Sequence, residues 1–167
     1  MDDLSRADPL AAVSPLDGRY AGRTEPLVPY ASEAALIGAR LRVEVEYLLA
    51  LAELDATSLS VSAAERDDLR ATVEGFDGDD ARLVKRLETE GAAGYAATNH
   101  DVKAVEYFLR TRTADRLHPW IHFGLTSEDV NNLAHRLLVG PAVESVLVPA
   151  LAAIRDQLVD LAHEYRG

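Results

Sequence analysis

Three observations predict an all-α protein. No segment sustains the period-two alternation of a half-buried strand. Apolar residues recur at helical spacing from Ser32 to the C-terminus. The breaks between these runs carry helix caps and stops, such as Ser62 with Glu65, and Gly91. Residues 1–30 hold Pro9, Pro15, Pro26, Pro29 and the turn pair Asp17-Gly18, and read as irregular. From Ser32, a plausible N-cap, Leu36, Val43, Tyr47, Leu48, Leu51 and Leu54 form the stripe of a first long helix. A second begins at Ser62, whose capping box with Glu65 precedes Leu69 and Val73, and ends near Gly75. A short charged helix follows over about 79–90, with Leu83, Val84 and Leu87 as its apolar side. The run "DGDDARLVKR" is its solvated start, and "GAAGYAA" is a flexible connection.

The spacing predicts two further helices, over 99–113 with Val102, Val105, Phe108 and Leu109 on one face, and over 127–139 with Val130, Leu133, Leu137 and Leu138. Gly140-Pro141 separates these from a last segment running from Val143 to Tyr165. Pro149 is expected to kink that helix rather than end it. Its apolar stripe is too long for one helix to bury alone. The chain therefore reads as the front of something larger, or as one member of an intertwined oligomer.

The composition narrows the function classes. The 167 residues carry 28 acidic against 17 basic side chains, a net charge of -11, with no clustered basic patch. A nucleic-acid partner is not expected. The absence of Cys removes disulfides and thiolate chemistry and is compatible with a cytoplasmic protein. The start "MDDLSRADPL" lacks the apolar core of a signal peptide, and no apolar run approaches membrane-spanning length, so no membrane partner is expected. Only Lys85 and Lys103 are lysines. Acid excess with so little Lys fits adaptation to high salt, or the codon bias of a GC-rich genome.

Chemistry concentrates at two helix starts. Thr98 with Asp101, and Thr126 with Asp129, each spell a T-x-x-D box, and each box alone is an ordinary cap. The first, however, packs Asn99, His100 and Asp101 into a single turn, and the second adds Ser127 beside Thr126. Helix N-termini offer free N–H groups to anions, and His can move a proton near neutral pH. "SPLDGRY" adds Arg19, a candidate bidentate anion clamp, and Tyr20 after a tight turn. Together these residues suit a small ligand with several negative groups. No pair of histidines has credible metal spacing. His118 and His122, flanking Trp120, read as packing or capping residues. His135 reads as solvated, and His163 as favourably placed near a helix C-terminus.

The segments "SPLDGRY", "TNHDVKAVEYFL" and "HFGLTSEDVNNLAHRLLV", in this order, resemble the adenylosuccinate lyase family within the fumarase/aspartase superfamily. The resemblance covers nearly the whole chain. It implies a small helical N-terminal domain, here residues 1–124, followed by the first long helices of a helical bundle, residues 125–167. It further implies a cytoplasmic homotetramer with sites shared between subunits, no metal or organic cofactor, and β-elimination of fumarate from adenylosuccinate and from SAICAR. Carried over by position, Arg19, Tyr20, Asn99, His100, Asp101, Thr126 and Ser127 become substrate-binding residues, with His100 a possible assistant to proton transfer. The family's general-acid His and general-base Ser fall in segments absent from these 167 residues, so the chain is expected to be an incomplete, inactive N-terminal part. Which subunit supplies each residue stays open. Two alternatives remain: another fumarate-releasing lyase such as argininosuccinate lyase, and a non-catalytic helical interaction protein derived from a lyase.

Overall fold

The computed structural model describes residues 11–166. The segment 1–10, with Pro9, lies outside the described residues. The fold is all-α, with helices joined by turns and no strand among the described residues. The chain divides into two compact units. One holds residues 33–139, and the other holds the described residues 11–32 and 140–166.

The larger unit is built on α3 (Glu33–Leu51), with α4 (Ala63–Glu74), α5 (Gly78–Thr89) and α6 (Asp101–Thr111) packed against it. The capping box of α4 forms as expected: the Glu65 N–H donates to Ser62 Oγ while the Glu65 carboxylate accepts from the Ser62 N–H at 2.9 Å. Helix α5 starts one residue earlier than the sequence predicts, because Asp77 accepts from the N–H groups of Asp79 and Asp80. Burial on α3 is not confined to a stripe. Ile37, Leu41, Val45 and Leu48 face the main core, Ala39 and Val43 face a second cluster, and the expected stripe residue Leu54 lies exposed beyond the helix. The main core closes around Phe108, Leu87, Val105 and Leu117, with Phe76 edge-on to Phe108 at 6.1 Å. Truncating a buried Phe of this kind costs about 3–5 kcal/mol.

The connection from α5 to α6 is a tight turn rather than a flexible linker. Ala92 and Tyr95 exchange both backbone hydrogen bonds, and Tyr95 stacks on Tyr107 at 4.5 Å. Gly91 has φ +85, and a Cβ there would sit 2.8 Å from the Tyr95 carbonyl oxygen, so the position admits only glycine.

Helix α7 (Ser127–Ala142) enters the second cluster through Val130 and Ala134, which meet Ala39, Val43 and Val102. Leu138 is partly buried there, whereas Leu133 and Leu137 are exposed, so the predicted apolar face of α7 is only half covered.

In the smaller unit, residues 21–31 form short helical turns, α1 (Ala21–Thr24), a 3-10 turn (Glu25–Leu27) and α2 (Val28–Ala31), where the sequence reads as irregular. Pro26 and Pro29 each sit in a first turn, where a missing N–H costs nothing. Gly140-Pro141 does not end α7. The helix continues through a π-turn (Val143–Leu147) into α8 (Val148–Glu164). The wider π-turn precedes Pro149 and accommodates a ring that would clash with the carbonyl one ordinary turn back. Because the two stretches join, the helix from Ser127 to Glu164 is, by length and composition, apolar and long enough to cross a membrane, contrary to the expectation from the sequence. No residue of α8 is buried, and Leu151, Ile154, Leu158 and Leu161 are all exposed.

Candidate functional site

Three residues of α3, spaced 40, 44 and 47, place the polar groups around one cleft. This spacing puts them on one helix face. Buried Arg40 donates from Nε to Asn131 Oδ1 of α7 at 2.9 Å and pairs with the Asp101 carboxylate at the start of α6 at 2.7 Å. Glu44, with no exposed surface, lies 2.6 Å from Nδ1 of His122. The Tyr47 hydroxyl donates to the Phe123 carbonyl at 2.9 Å. A helix that the sequence reads as apolar thus holds both polar helix starts and the loop between them.

The two starts differ. At α7 the expected box forms: the Thr126 N–H and hydroxyl both donate to Asp129 Oδ2 at 2.8 Å. These bonds hold the Asp129 carboxyl below the usual carboxylate range. At α6 the box does not form. Thr98 Oγ1 accepts from the His100 N–H and donates to the His100 carbonyl, while Thr98 and Asn99 hang by their own N–H groups on the carbonyls of Leu87 and Glu88. His100 is the N-cap itself, its Nδ1 accepting from the Lys103 N–H at 3.3 Å. Asp101 turns to Arg40 and to the Val102 N–H. Burial works to raise its pKa, but that N–H and the Arg40 guanidinium outweigh it and lower the value.

With Nδ1 accepting, the neutral His100 ring carries its proton on Nε2, which meets Ser127 Oγ at 3.3 Å. The first residue of α7 and the cap of α6 therefore touch within one chain. Around them lies a cleft of about 310 Å³ lined by Thr98, His100, Lys103, Glu106, His122 and Ser127, with Val102 at its base. Lys103 ties back to the buried Glu106, which also holds Arg110. Burial pushes the Glu44 carboxyl up, and the His122 hydrogen bond only partly offsets this. Such a cleft offers donors and a cation, and suits an anionic group.

Of the residues singled out from the sequence, His100 and Ser127 meet in this cleft. Asn99 adjoins it, exposed, in a left-handed conformation at φ +49. Asp101 and Thr126 are committed to Arg40 and to Asp129 rather than lining the cleft. Arg19 and Tyr20 belong to the smaller unit. There the turn at 14–18 is closed on the Ser14 carbonyl, and both side chains are exposed, with the guanidinium 5.5 Å from the Tyr20 ring centre. His118 is a capping residue as expected, its Nε2 3.0 Å from the Arg110 carbonyl at the end of α6. His122 is more than packing, because it lines the cleft. The signal in the sequence was the acidic Glu44 inside an apolar helix, which needs a buried partner. Among the described residues, no group of three His, Asp or Glu side chains is placed to hold a metal ion.

A protein-family model described as Lyase matches residues 18–167. The chain is 41% identical over 165 residues to adenylosuccinate lyase of Escherichia coli K12, covering 94% of this chain and 34% of that protein. It is 38% identical over 168 residues to adenylosuccinate lyase of Dictyostelium discoideum, covering 95% and 34%. It is 38% identical over 164 residues to the Haemophilus influenzae protein of the same name, covering 94% and 34%. The chain thus spans about a third of the length of the curated relatives it matches.

Proposed function

The chain belongs to the lyase family whose model covers residues 18–167, and from that premise we propose that it is the N-terminal part of an adenylosuccinate lyase of purine nucleotide biosynthesis. The observation that carries this reading is the contact between His100 and Ser127 beside Lys103 and His122, in a chain similar throughout to proteins of that name.

In the proposed reaction a base removes a proton from the succinyl carbon adjacent to the C–N bond. The C–N bond breaks, its electron pair goes to the nitrogen, and an acid protonates that nitrogen. Adenylosuccinate then gives AMP, SAICAR gives AICAR, and each releases fumarate. The acid and base come from parts of the protein outside these 167 residues. The cleft supplies anion binding: Nε2–H of His100, the Ser127 hydroxyl and the Lys103 ammonium stabilise carboxylate or phosphate charge and the carbanionic intermediate. Arg19, Tyr20 and Asn99 are further substrate-binding residues by their positions in the motifs shared with the family. Asp101 and Thr126 act through the backbone they hold. Residues 1–124 serve as the N-terminal domain and 125–167 as the start of the central bundle. The exposed apolar face of α8 becomes bundle interface in a cytoplasmic homotetramer, and the acid-rich composition is an adaptation to salt.

The test is fumarate release by the full-length protein from adenylosuccinate and SAICAR. Turnover of both supports the reading, and turnover of argininosuccinate alone would replace it with the neighbouring lyase activity. The isolated 167-residue chain is expected to be inactive. A melting temperature of the full-length protein that does not rise between dilute buffer and molar KCl would remove the salt-adaptation part.

A further inference from the structure

We propose that Glu44 is a positioning residue for His122, accepting from its Nδ1–H so that Nε2, which keeps the lone pair, is the ring nitrogen left to accept a hydrogen bond from a substrate group in the cleft. The proposal deepens the lyase reading and rests on it for the identity of that group.

Glu44 has no exposed surface, and its Oε2 is buried without a hydrogen-bond partner. A carboxylate in that position is costly, and an apolar or amide side chain of similar size would serve the core at least as well. Core stability therefore does not account for the residue. Its one polar contact is the 2.6 Å approach of Oε1 to His122 Nδ1. His122 in turn is held in a left-handed conformation at φ +61, sparsely populated for a residue with a Cβ. Its loop is pinned on both sides, by buried Ile121, by the Tyr47 bond to the Phe123 carbonyl and by the Thr126–Asp129 box. A strained backbone and a buried acid converge on one ring, and that ring lines the cleft with His100, Lys103 and Ser127. The charged groups nearby are Glu106, with its partners Lys103 and Arg110, and Asp129.

Two measurements on the full-length protein test this. In histidine-labelled wild-type protein, nitrogen–proton NMR correlations, with His122 assigned by its loss in His122→Gln, should show a proton on Nδ1. A neutral His122 carrying its proton on Nε2 alone would mean that Glu44 donates, and would overturn the proposal whatever the protein's activity. Glu44→Gln should melt no lower than wild type yet lose roughly 10- to 100-fold in kcat/KM, as when the partner of a functional imidazole is replaced. The Glu44→Gln/His122→Ala pair should be no worse than His122→Ala alone. Wild-type kcat/KM in Glu44→Gln, or additive losses in the pair, would overturn it. Absence of lyase activity in the wild type would instead remove the functional reading and leave the tautomer measurement to decide the pair.

Discussion

The starts of α6 and α7 share one spelling, T-x-x-D, and fold differently. At Thr126 the box closes on itself, through hydrogen bonds between Thr126 and Asp129 alone. At Thr98 the same letters are pulled apart. Arg40 takes Asp101, the end of α5 takes the backbone of Thr98 and Asn99, and the cap passes to His100. A cap motif states what a helix start can do alone. A buried cation placed against it by another helix decides what it does. The start that lost its local closure is the one that presents an imidazole to the cleft.

The sharpest way to break this comparison is to give α6 an ordinary cap. Asn is among the best N-cap residues, so His100→Asn should keep the helix within a few tenths of a kcal/mol while removing the contact to Ser127. The full-length variant should lose at least ~10²-fold in kcat/KM, with an unchanged melting temperature. Full activity would make His100 a cap and nothing else.

Next in size is the residue that pulls the box apart. Arg40→Met should lower stability by about 2 kcal/mol, the scale of losing hydrogen bonds to a charged group. The ionic share is the smaller part, because Asp101 is half exposed. The Asp101 carboxyl sits below its usual pKa, so its contribution is present above the unfolded value near 3.8 and is lost as pH falls through the folded value. The gap between urea melts of parent and variant should therefore narrow in strong acid without closing, because the bond to Asn131 persists. A gap that stays constant to pH 2 would mean that the pairing with Asp101 contributes nothing.

A smaller effect separates the two threonines. Thr126→Ala should cost about 1 kcal/mol, as a lost N-cap does, with the loss read by chemical denaturation. Thr98→Ala should cost less, since its hydroxyl serves only its neighbour's backbone. Equal costs would mean the two starts are equivalent after all. Smallest of all is an expected null. If the protein assembles as the proposed tetramer, mixing His100→Ala and Ser127→Ala subunits should recover no activity, because the two residues meet in one chain. Recovery would place them in different subunits.

What was legible in the sequence was local. The Ser62–Glu65 box, the ends near Gly75 and Gly91 and the Thr126–Asp129 box depend on residues three or four apart, and the structure has them all. The all-α class followed for the same reason. What was not legible depended on distant partners. Arg40 and Glu44 did not stand out, because nothing near them in sequence names Asp101 or His122 as their partners. His122 looked like packing for the same reason. Gly140-Pro141 looked like a break, yet α7 runs through both residues, and the π-turn beyond them has no reliable letter code.

The face of α3 carrying Arg40, Glu44 and Tyr47 has a consequence in time. Its contacts to Asn131, His122 and Phe123 span 91, 78 and 76 residues of chain, whereas α5 and α6 are joined by a tight turn. Closing such long loops carries most of its entropic cost before any contact repays it. The α5–α6 hairpin is expected to form early, and the cleft to assemble late. Substitutions on that face should then leave the refolding rate nearly unchanged and accelerate unfolding, so that the cleft is the first part of this unit to open as the protein unfolds.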